Sequence, residues 1–488
     1  MSTWALVLGA ATAEFTEALQ RHGFARRGDI HHGTVDVDGD QVEVQVRLPP
    51  TFPFAPPRVY RATGVPPSWH SERDGALCLY RDDEKADLPW LDVEAFLGHV
   101  AAWLRDDAAG WPDDEPDLDL ERYFPRAPGL LVYTSLEGVL GGPVRYRQRP
   151  HGVIELAGRG VPPPGKRRHR HRGLFGWAAD LGELAWPPRT WEDLTPLLGT
   201  DAAKIEQLLR GERVGLLALR YRRGGHVGVL ALRATRQANS DVLLEALTPA
   251  PDTPDVRALR AGPHYAELAR CRVLLVGVGA VGSFLADLLV RVGVRELTLR
   301  DGDVLRPGNC VRHLAGREHV GKFKVAAVRD MLTARYGATA ERVVTDPTAL
   351  TDPEGLRELL GRFDLVIDAT ADSIASALLA TVAVHVEVPI VSVCLQREGA
   401  VIRVDHFPQP ASPADVVPAV AALSYAPDAA REAGCGEPVS RTPPSAVVEA
   451  AAVACRHAVA VLLSASSLLP TELRLTAPQA DVHEVGVQ

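Results

Sequence analysis

No C-x-x-C pair occurs anywhere in the 488 residues, and the six cysteines, at 78, 271, 310, 394, 435 and 455, stand far apart. That excludes a zinc knuckle of ordinary spacing and leaves no disulfide framework for so long a chain. Each cysteine is therefore either a small buried apolar residue or a nucleophile. Lysine is scarce as well: only positions 85, 166, 204, 322 and 324 carry it among 53 basic residues, the rest being arginine. A chain that uses Arg almost everywhere yet keeps Lys322 and Lys324 within three residues marks that stretch. No charge-free apolar run of about 18 residues is present, and the start has no basic-then-apolar leader, so the chain reads as cytoplasmic with no membrane partner. A net charge of −9 speaks against nucleic acid as a partner.

The length calls for two or three domains. Residues 11–24 place Phe15, Ala18 and Leu19 on one helical face. In "TVDVDGDQVEVQVRLP" the valines alternate with polar residues on both sides of Asp38-Gly39, a hairpin signal. A Pro-broken "PPTFPFAPP", a third strand "RVYRA", a loop "HSERDGALCLY" and a helix "LDVEAFLGHVAAWLR" complete a small α+β domain over residues 1–126. Residues 127–255 read as a linker or accessory domain. Their "RGVPPPGKRRHRHRG" reads as a solvated loop, with a phosphate or nucleic-acid contact as the other reading. The last domain is 256–488; from 270 onward strand and helix patterns alternate, which predicts a Rossmann-like, doubly wound parallel sheet, so that the whole chain is of the α/β class.

"VGVGAVG" puts Gly277, Gly279 and Gly282 in G-x-G-x-x-G between a strand and a helix, where glycines let a phosphate approach the helix N-terminus. Asp301 follows about 20 residues on, at the end of the next strand, where an acid binds ribose hydroxyls. Up to this point an NAD-dependent oxidoreductase is equally well described. The continuation "DGDVLRPGNCVRHLAGREHVGKFK" changes the balance. Hydride transfer needs no cations at the phosphates, whereas attack of a carboxylate on the α-phosphorus of ATP does. Arg312 and Lys324 supply that charge, with Asn309 as a neutral donor. "DLVIDATAD" then sets Asp368 in a strand and Asp372 just beyond it, where a carboxylate can hold the Mg2+ that accompanies a triphosphate.

The ordered set GxGxxG, "DGD", "NCVRH", "GKFK", "DATAD" resembles the adenylation domain of ubiquitin-activating enzymes and of the sulfur-carrier activators of thiamine and molybdopterin synthesis. The resemblance implies ATP and Mg2+ as cofactors, Asp301 on the ribose, Asn309, Arg312 and Lys324 on the phosphates, Asp372 on the metal, and a homodimer, with Arg257 or Arg260 in the segment that reaches across. The glutamine that follows the Arg in that family is His313 here, and the paired zinc cysteines of many sulfur-carrier activators are missing.

Cys435, in the Gly-flanked "REAGCGEPVSRTPP", suits an exposed thiol that captures an acyl adenylate as a thioester, and it resembles the thiol loop of the activating enzymes. The first domain resembles ubiquitin-conjugating enzymes: "LPPTFPFAPPRVY", then Cys78 in "LCL", then Trp90 ahead of a helix. Cys78 matches their nucleophile. Their His-Pro-Asn triplet is absent; His70, eight residues before Cys78, is either a helper or a loop-structuring histidine.

Such a fusion resembles those of bacterial ubiquitin-like conjugation operons, including anti-phage cyclic-oligonucleotide (CBASS) systems. The resemblance implies activation of a protein C-terminus, that of a ubiquitin-like protein or a nucleotidyltransferase. It further implies capture on Cys435, transthiolation to Cys78, transfer to a target lysine, and a metallopeptidase partner. Two readings stand beside it: an activator of a small sulfur carrier with a non-catalytic N-terminal docking domain, and the NAD-dependent oxidoreductase.

Overall fold

A computed structural model describes residues 3–61, 68–111, 118–162, 174–237, 241–340, 342–350, 353–408, 440–464 and 471–476. The chain divides into two compact units, Met1–Asp252 and Thr253–Gln488.

The first unit opens with helix α1 (Thr3–Arg21), which turns Phe15 and Leu19 inward as their spacing predicts. An antiparallel meander follows: β1 (Ala25–Arg27), β2 (Ile30–Val37), β3 (Asp40–Arg47) and β4 (Arg58–Arg61). Asp38 and Gly39, at φ 54° and 98°, supply the two left-handed residues that a tight hairpin of this twist demands. Helix α2 (Val93–Ala109) is capped by Asp92, which accepts the Ala95 N–H at 3.0 Å, and ends on left-handed Gly110. Its Phe96, Val100 and Leu104 pack on the meander, each such burial worth about 1.5–3 kcal/mol. Trp90 lies beneath them at 0% exposure, its indole N–H donating to Pro53 O at 2.8 Å.

Next comes the region read as a linker or accessory domain. Among the described residues, seven strands close into a barrel in the order β10-β11-β5-β7-β6-β8-β9. They are β5 (Arg126–Tyr133), β6 (Gly142–Gln148), β7 (Val153–Arg159), β8 (Phe175–Glu183), β9 (Leu216–Arg223), β10 (His226–Arg236) and β11 (Val242–Pro251). Leu131, Val144, Ile154, Ala218, Ala231 and Leu247 form one of its cores. A second apolar layer takes in helices α3 (Trp191–Leu198) and α4 (Thr200–Arg210) through Trp191, Leu194, Ile205 and Leu209.

The second unit begins with α5 (Pro254–Ala261), which carries Arg257 and Arg260, and the short α6 (Tyr265–Leu268). Then come β12 (Arg272–Val276), α7 (Ala280–Val292), β13 (Glu296–Arg300), α8 (Lys324–Tyr336), β14 (Val344–Asp346), α9 (Pro353–Leu360), β15 (Leu365–Asp368), α10 (Ser373–Val386) and β16 (Ile390–Gln396). The sheet runs β14-β13-β12-β15-β16 in parallel, as expected. It then departs from the all-parallel expectation: β17 (Val401–Phe407) and β18 (Thr471–Leu475) extend the edge antiparallel. Helix α11 (Pro444–Leu462) is long and apolar enough, by length and composition, to cross a membrane. Here its Ala450, Ala451, Ala454 and Ala458 are buried in the core that also holds Leu285 and Leu289 of α7, so it acts as a core helix. The strand order reverses between β12 and β15, and the crevice beyond their carboxyl ends is where open α/β sheets bind ligands.

Candidate functional site

The glycine loop fills that crevice. Gly277 has φ 85°, and a Cβ added to it would lie 2.6 Å from the backbone at Ala369 and Thr370; one on Gly282 would lie 1.9 Å from Gly277 O. Those two glycines let β12, β15 and α7 pack. Gly279 is different: a Cβ there meets nothing within 4 Å, and as the N-cap of α7 it leaves the first-turn amides without a side-chain cap. An uncapped helix N-terminus above open space is a ready anion site.

The space is a cavity of about 360 Å³ lined by Gly277, Gly279, Asp301, Lys324 and Asp372, with Thr348 to Leu350 on the far side. Asp301 Oδ2 accepts the Val278 N–H and Oδ1 the Asp303 N–H, both at 2.8 Å, which ties the carboxylate to the loop. Lys324 is the first residue of α8; its ammonium is mostly sheltered and donates to Asp303 Oδ2 at 2.7 Å. Asp372 caps α10, with Oδ1 accepting from Ile374 N and Ala375 N at 2.8 and 3.0 Å. Asp368, buried to 2% exposure, takes both donors of Thr370 and the hydroxyls of Ser376 and Ser392. Its role is to fix the end of β15.

Five expected residues therefore meet at one cavity, and Gly282 buttresses it from below. Two do not line it. Asn309 Oδ1 accepts the Arg306 N–H at 2.9 Å, and Arg312 Nη1 donates to the carbonyls of Ser440 and Thr442 at 3.0 and 3.4 Å. Backbone groups hold the two side chains beside the cavity rather than in its lining. His313 stands in the glutamine position. Its buried ring donates from Nε2 to Val278 O at 2.9 Å and accepts the Ala315 N–H on Nδ1 at 3.0 Å, and burial holds its pKa below the usual histidine value. Arg300, which lines the cavity while bonding Asp346 and Ala349 O, carried no motif that could have revealed it.

Cys78 sits in the first unit on a small hairpin. Its N–H donates to His70 O at 2.7 Å, and Ser71 bridges Leu77, so His70 and Cys78 face each other across the two arms. His70 adopts a left-handed φ of 56°, and its ring lies 4.4 Å from that of Trp111. A cleft of about 340 Å³ opens beside Cys78, lined by Pro56, Pro57, Arg58, Glu72, Leu77 and Lys85 among others. Cys435 lies outside the described residues. Burial pushes the Cys394 and Cys455 thiols up to about 12 and raises that of Cys271, which leaves these three poorly suited to nucleophilic attack at neutral pH.

The second unit thus has a Rossmann-like fold with Lys324 at the crevice where its strand order reverses. Residues 256–480 match the model of the ThiF family, so the C-terminal half of the chain carries a ThiF-family domain. Among curated proteins, the chain is 34% identical over 131 residues to the uncharacterized protein y4oA of Sinorhizobium fredii, covering 24% of this chain and 22% of that one. It is 32% identical over 108 residues to the ATP-dependent ubiquitin transferase-like protein Cap2 of Enterobacter hormaechei, covering 21% and 17%. To the molybdopterin-synthase adenylyltransferase of Escherichia coli it is 35% identical over 135 residues, covering 28% and 51%. The chain therefore spans between 17% and 51% of the lengths of these relatives. Among solved structures, that of E. coli MccB with ATP has a TM-score of 0.33 and 15% identity, over 42% of this chain and 60% of that one.

Proposed function

We propose that the chain activates the C-terminal carboxylate of a protein with ATP and passes it, through two thiols, to an amine. The observation that carries this reading is the cavity at the strand-order reversal, where Lys324 and the uncapped N-terminus of α7 face one space within a ThiF-family domain. The residues fit ATP: Gly279 leaves room at the helix N-terminus, Asp301 would meet the ribose, and Lys324 would supply a cation to the phosphates. Mg2+ would be held by Asp372 and the phosphates, a donor set that suits a metal which keeps most of its ligands as water and phosphate; it would neutralise charge on the departing pyrophosphate.

A carboxylate oxygen of the substrate attacks the α-phosphorus, pyrophosphate leaves, and an acyl adenylate forms. Lys324 and the amides of α7 meet the negative charge that builds on the phosphoryl oxygens. The Cys435 thiolate then attacks the acyl carbon and AMP leaves. The Cys78 thiolate takes the acyl group from Cys435, and a target amine, a lysine in our reading, resolves the second thioester. Holding both thiols in one chain raises their effective concentration. Arg312, bound to the carbonyls of Ser440 and Thr442, is assigned to holding the segment that follows Cys435. The activated partner would be a ubiquitin-like protein or a nucleotidyltransferase C-terminus, with a metallopeptidase to reverse the bond, in a cytoplasmic anti-phage setting. The likeness to Cap2 supports a ubiquitin-type transfer. The likeness to the molybdopterin-synthase adenylyltransferase supports the second reading, activation of a small sulfur carrier with the first unit as a docking module.

A Cys78→Ser variant expressed with its genomic neighbours separates the two. An adduct that survives thiol but not mild base is a trapped oxyester, its partner named by mass spectrometry, and it should vanish when Cys435→Ala is added. No adduct in the presence of ATP rejects the relay and leaves the sulfur-carrier reading.

A further inference from the structure

The lining of the nucleotide cavity follows the strand order of the sheet. Asp372 comes from beyond β15, Gly277 and Gly279 from beyond β12, Asp301 from the end of β13, and Thr348, Ala349 and Leu350 from the strap that leaves β14. Neighbouring strands stand about 4.8 Å apart, so these three steps span about 14 Å. A nucleotide with its phosphates over α7 and its ribose at Asp301 therefore has its base at the strap. Val276 of the lining is buried; its other large apolar side chains are Leu350 on the strap and Ile374 on the first turn of α10, the latter 78% exposed. Pro347, Thr348 and Ala349 are exposed, and only Leu350 packs, in part, on the core beneath α9 and α10. Apolar burial thus does little to fix the strap. Arg300 does more: Nη1 donates to Asp346 Oδ2 and Nη2 to Ala349 O, both at 2.9 Å. The other oxygen of Asp346 takes the Thr348 hydroxyl at 2.6 Å, and the Asp346 carbonyl takes the Asp301 N–H at 3.2 Å. Asp346 matches the charge of the guanidinium, so Arg300 acts as a fastening and not as a cation for the phosphates.

We propose that Arg300 is a positioning residue for nucleotide recognition: by pinning Asp346–Leu350 it holds the strap as one wall of a slot for the base, with Ile374 as the other. This rests on the reading of the cavity as an ATP site. A nucleobase is the flat, largely apolar part of the ligand and gains by leaving water against Leu350 and Ile374. That gain is kept only if the wall stands ready, because a segment that must order on binding gives up affinity to conformational entropy. Removing the guanidinium deletes the bond to Ala349 O and leaves Asp346 with the Thr348 hydroxyl, so the strap would have to be ordered by the nucleotide itself. The phosphate end, at Gly279 and Lys324, belongs to α7 and α8 and has no part in this fastening. The loss should therefore fall on the base and spare the phosphates.

The test is titration calorimetry of the full chain with Mg-ATP and with inorganic triphosphate, a probe that has the phosphates and no base. Arg300→Gln should weaken ATP binding by about 10-fold, which is about 1.4 kcal/mol, and leave triphosphate binding unchanged. Arg300→Lys, which keeps a cation for Asp346 and loses the second bond, should fall between the two. An unchanged ATP affinity in Arg300→Gln overturns the proposal. So does an equal loss for both ligands, which is what a merely structural role gives. Hydrogen exchange of the unsubstituted protein needs no variant to fold: ATP should protect the amides of Thr348–Leu350 more than triphosphate does, and equal protection by the two, or none by either, overturns the proposal as well. Failure of the unsubstituted protein to bind ATP at all is a different result, which rejects the ATP reading and this proposal with it.

Discussion

Replacing His313 by glutamine is expected to preserve the nucleotide loop, and replacing it by alanine to break it. The ring spans two buried backbone groups, donating to Val278 O at 2.9 Å and accepting the Ala315 N–H at 3.0 Å. A glutamine amide has a donor and an acceptor to give the same two groups; alanine has neither. Each backbone group left unsatisfied in the interior costs about 1–3 kcal/mol, so His313→Ala should lose about 2–6 kcal/mol and His313→Gln far less. The histidine also adds a pH dependence. Burial, the largest influence on the ring, keeps its folded pKa below 6.5, with Lys324 acting in the same direction and the two backbone bonds against it. The neutral ring is thus the folded form. Its stabilisation is complete above pH 6.5 and is lost as pH falls from there toward the folded pKa, because the unfolded chain takes up a proton the folded one refuses. The slope in that window reaches about 1.4 kcal/mol per pH unit. His406, lowered by burial and by His457, contributes in the same sense, so His313→Gln should reduce the slope without abolishing it. Urea unfolding followed by hydrogen exchange in peptides of the second unit, at pH 7 and pH 5, measures both effects. If glutamine is as damaging as alanine, or the slope is unchanged, the two-bond account of His313 is wrong.

Gly279→Ala and Gly282→Ala should part company. The first adds a methyl to open space and should leave melting unchanged while weakening ATP binding in calorimetry; the second drives a Cβ to 1.9 Å from Gly277 O and should unfold or distort the unit. Lys324→Ala removes the cation at the phosphate end and should weaken ATP binding by about 1.5–3 kcal/mol, as for a hydrogen bond to a charged group, with little loss of stability. Trp69→Ala removes the anchor of the Cys78 hairpin at a cost of about 3–5 kcal/mol, and should raise hydrogen exchange at Leu77 and Cys78 while sparing α2.

Much of this architecture was legible because its signals are local. Asp38-Gly39 announces the β2–β3 hairpin since both residues must take positive φ, and the three glycines announce a turn only they can make. The barrel was not legible, because its closure depends on parallel pairs between distant strands, β11 with β5 and β8 with β9, which leave no turn between them. The antiparallel edge of the second sheet escaped for a related reason: β18 pairs with β17 from the far side of α11. Within the sites, Gly277, Asp301, Lys324 and Asp372 could be found because each ends or begins an element that converges on the same crevice. Asn309 and Arg312 lie on a 3-10 turn and its cap, where backbone partners decide the direction of a side chain and sequence spacing does not.

The central claim is that the second unit holds ATP for transfer chemistry, and titration calorimetry of the full chain tests it most directly. Mg-ATP and NAD would be titrated into the unsubstituted protein and into Lys324→Ala. We expect ATP to bind the first and to bind the variant far more weakly, with no heat from NAD beyond dilution. Binding of NAD in preference to ATP, with affinity indifferent to Lys324, would contradict the account and return the glycine loop to a dinucleotide.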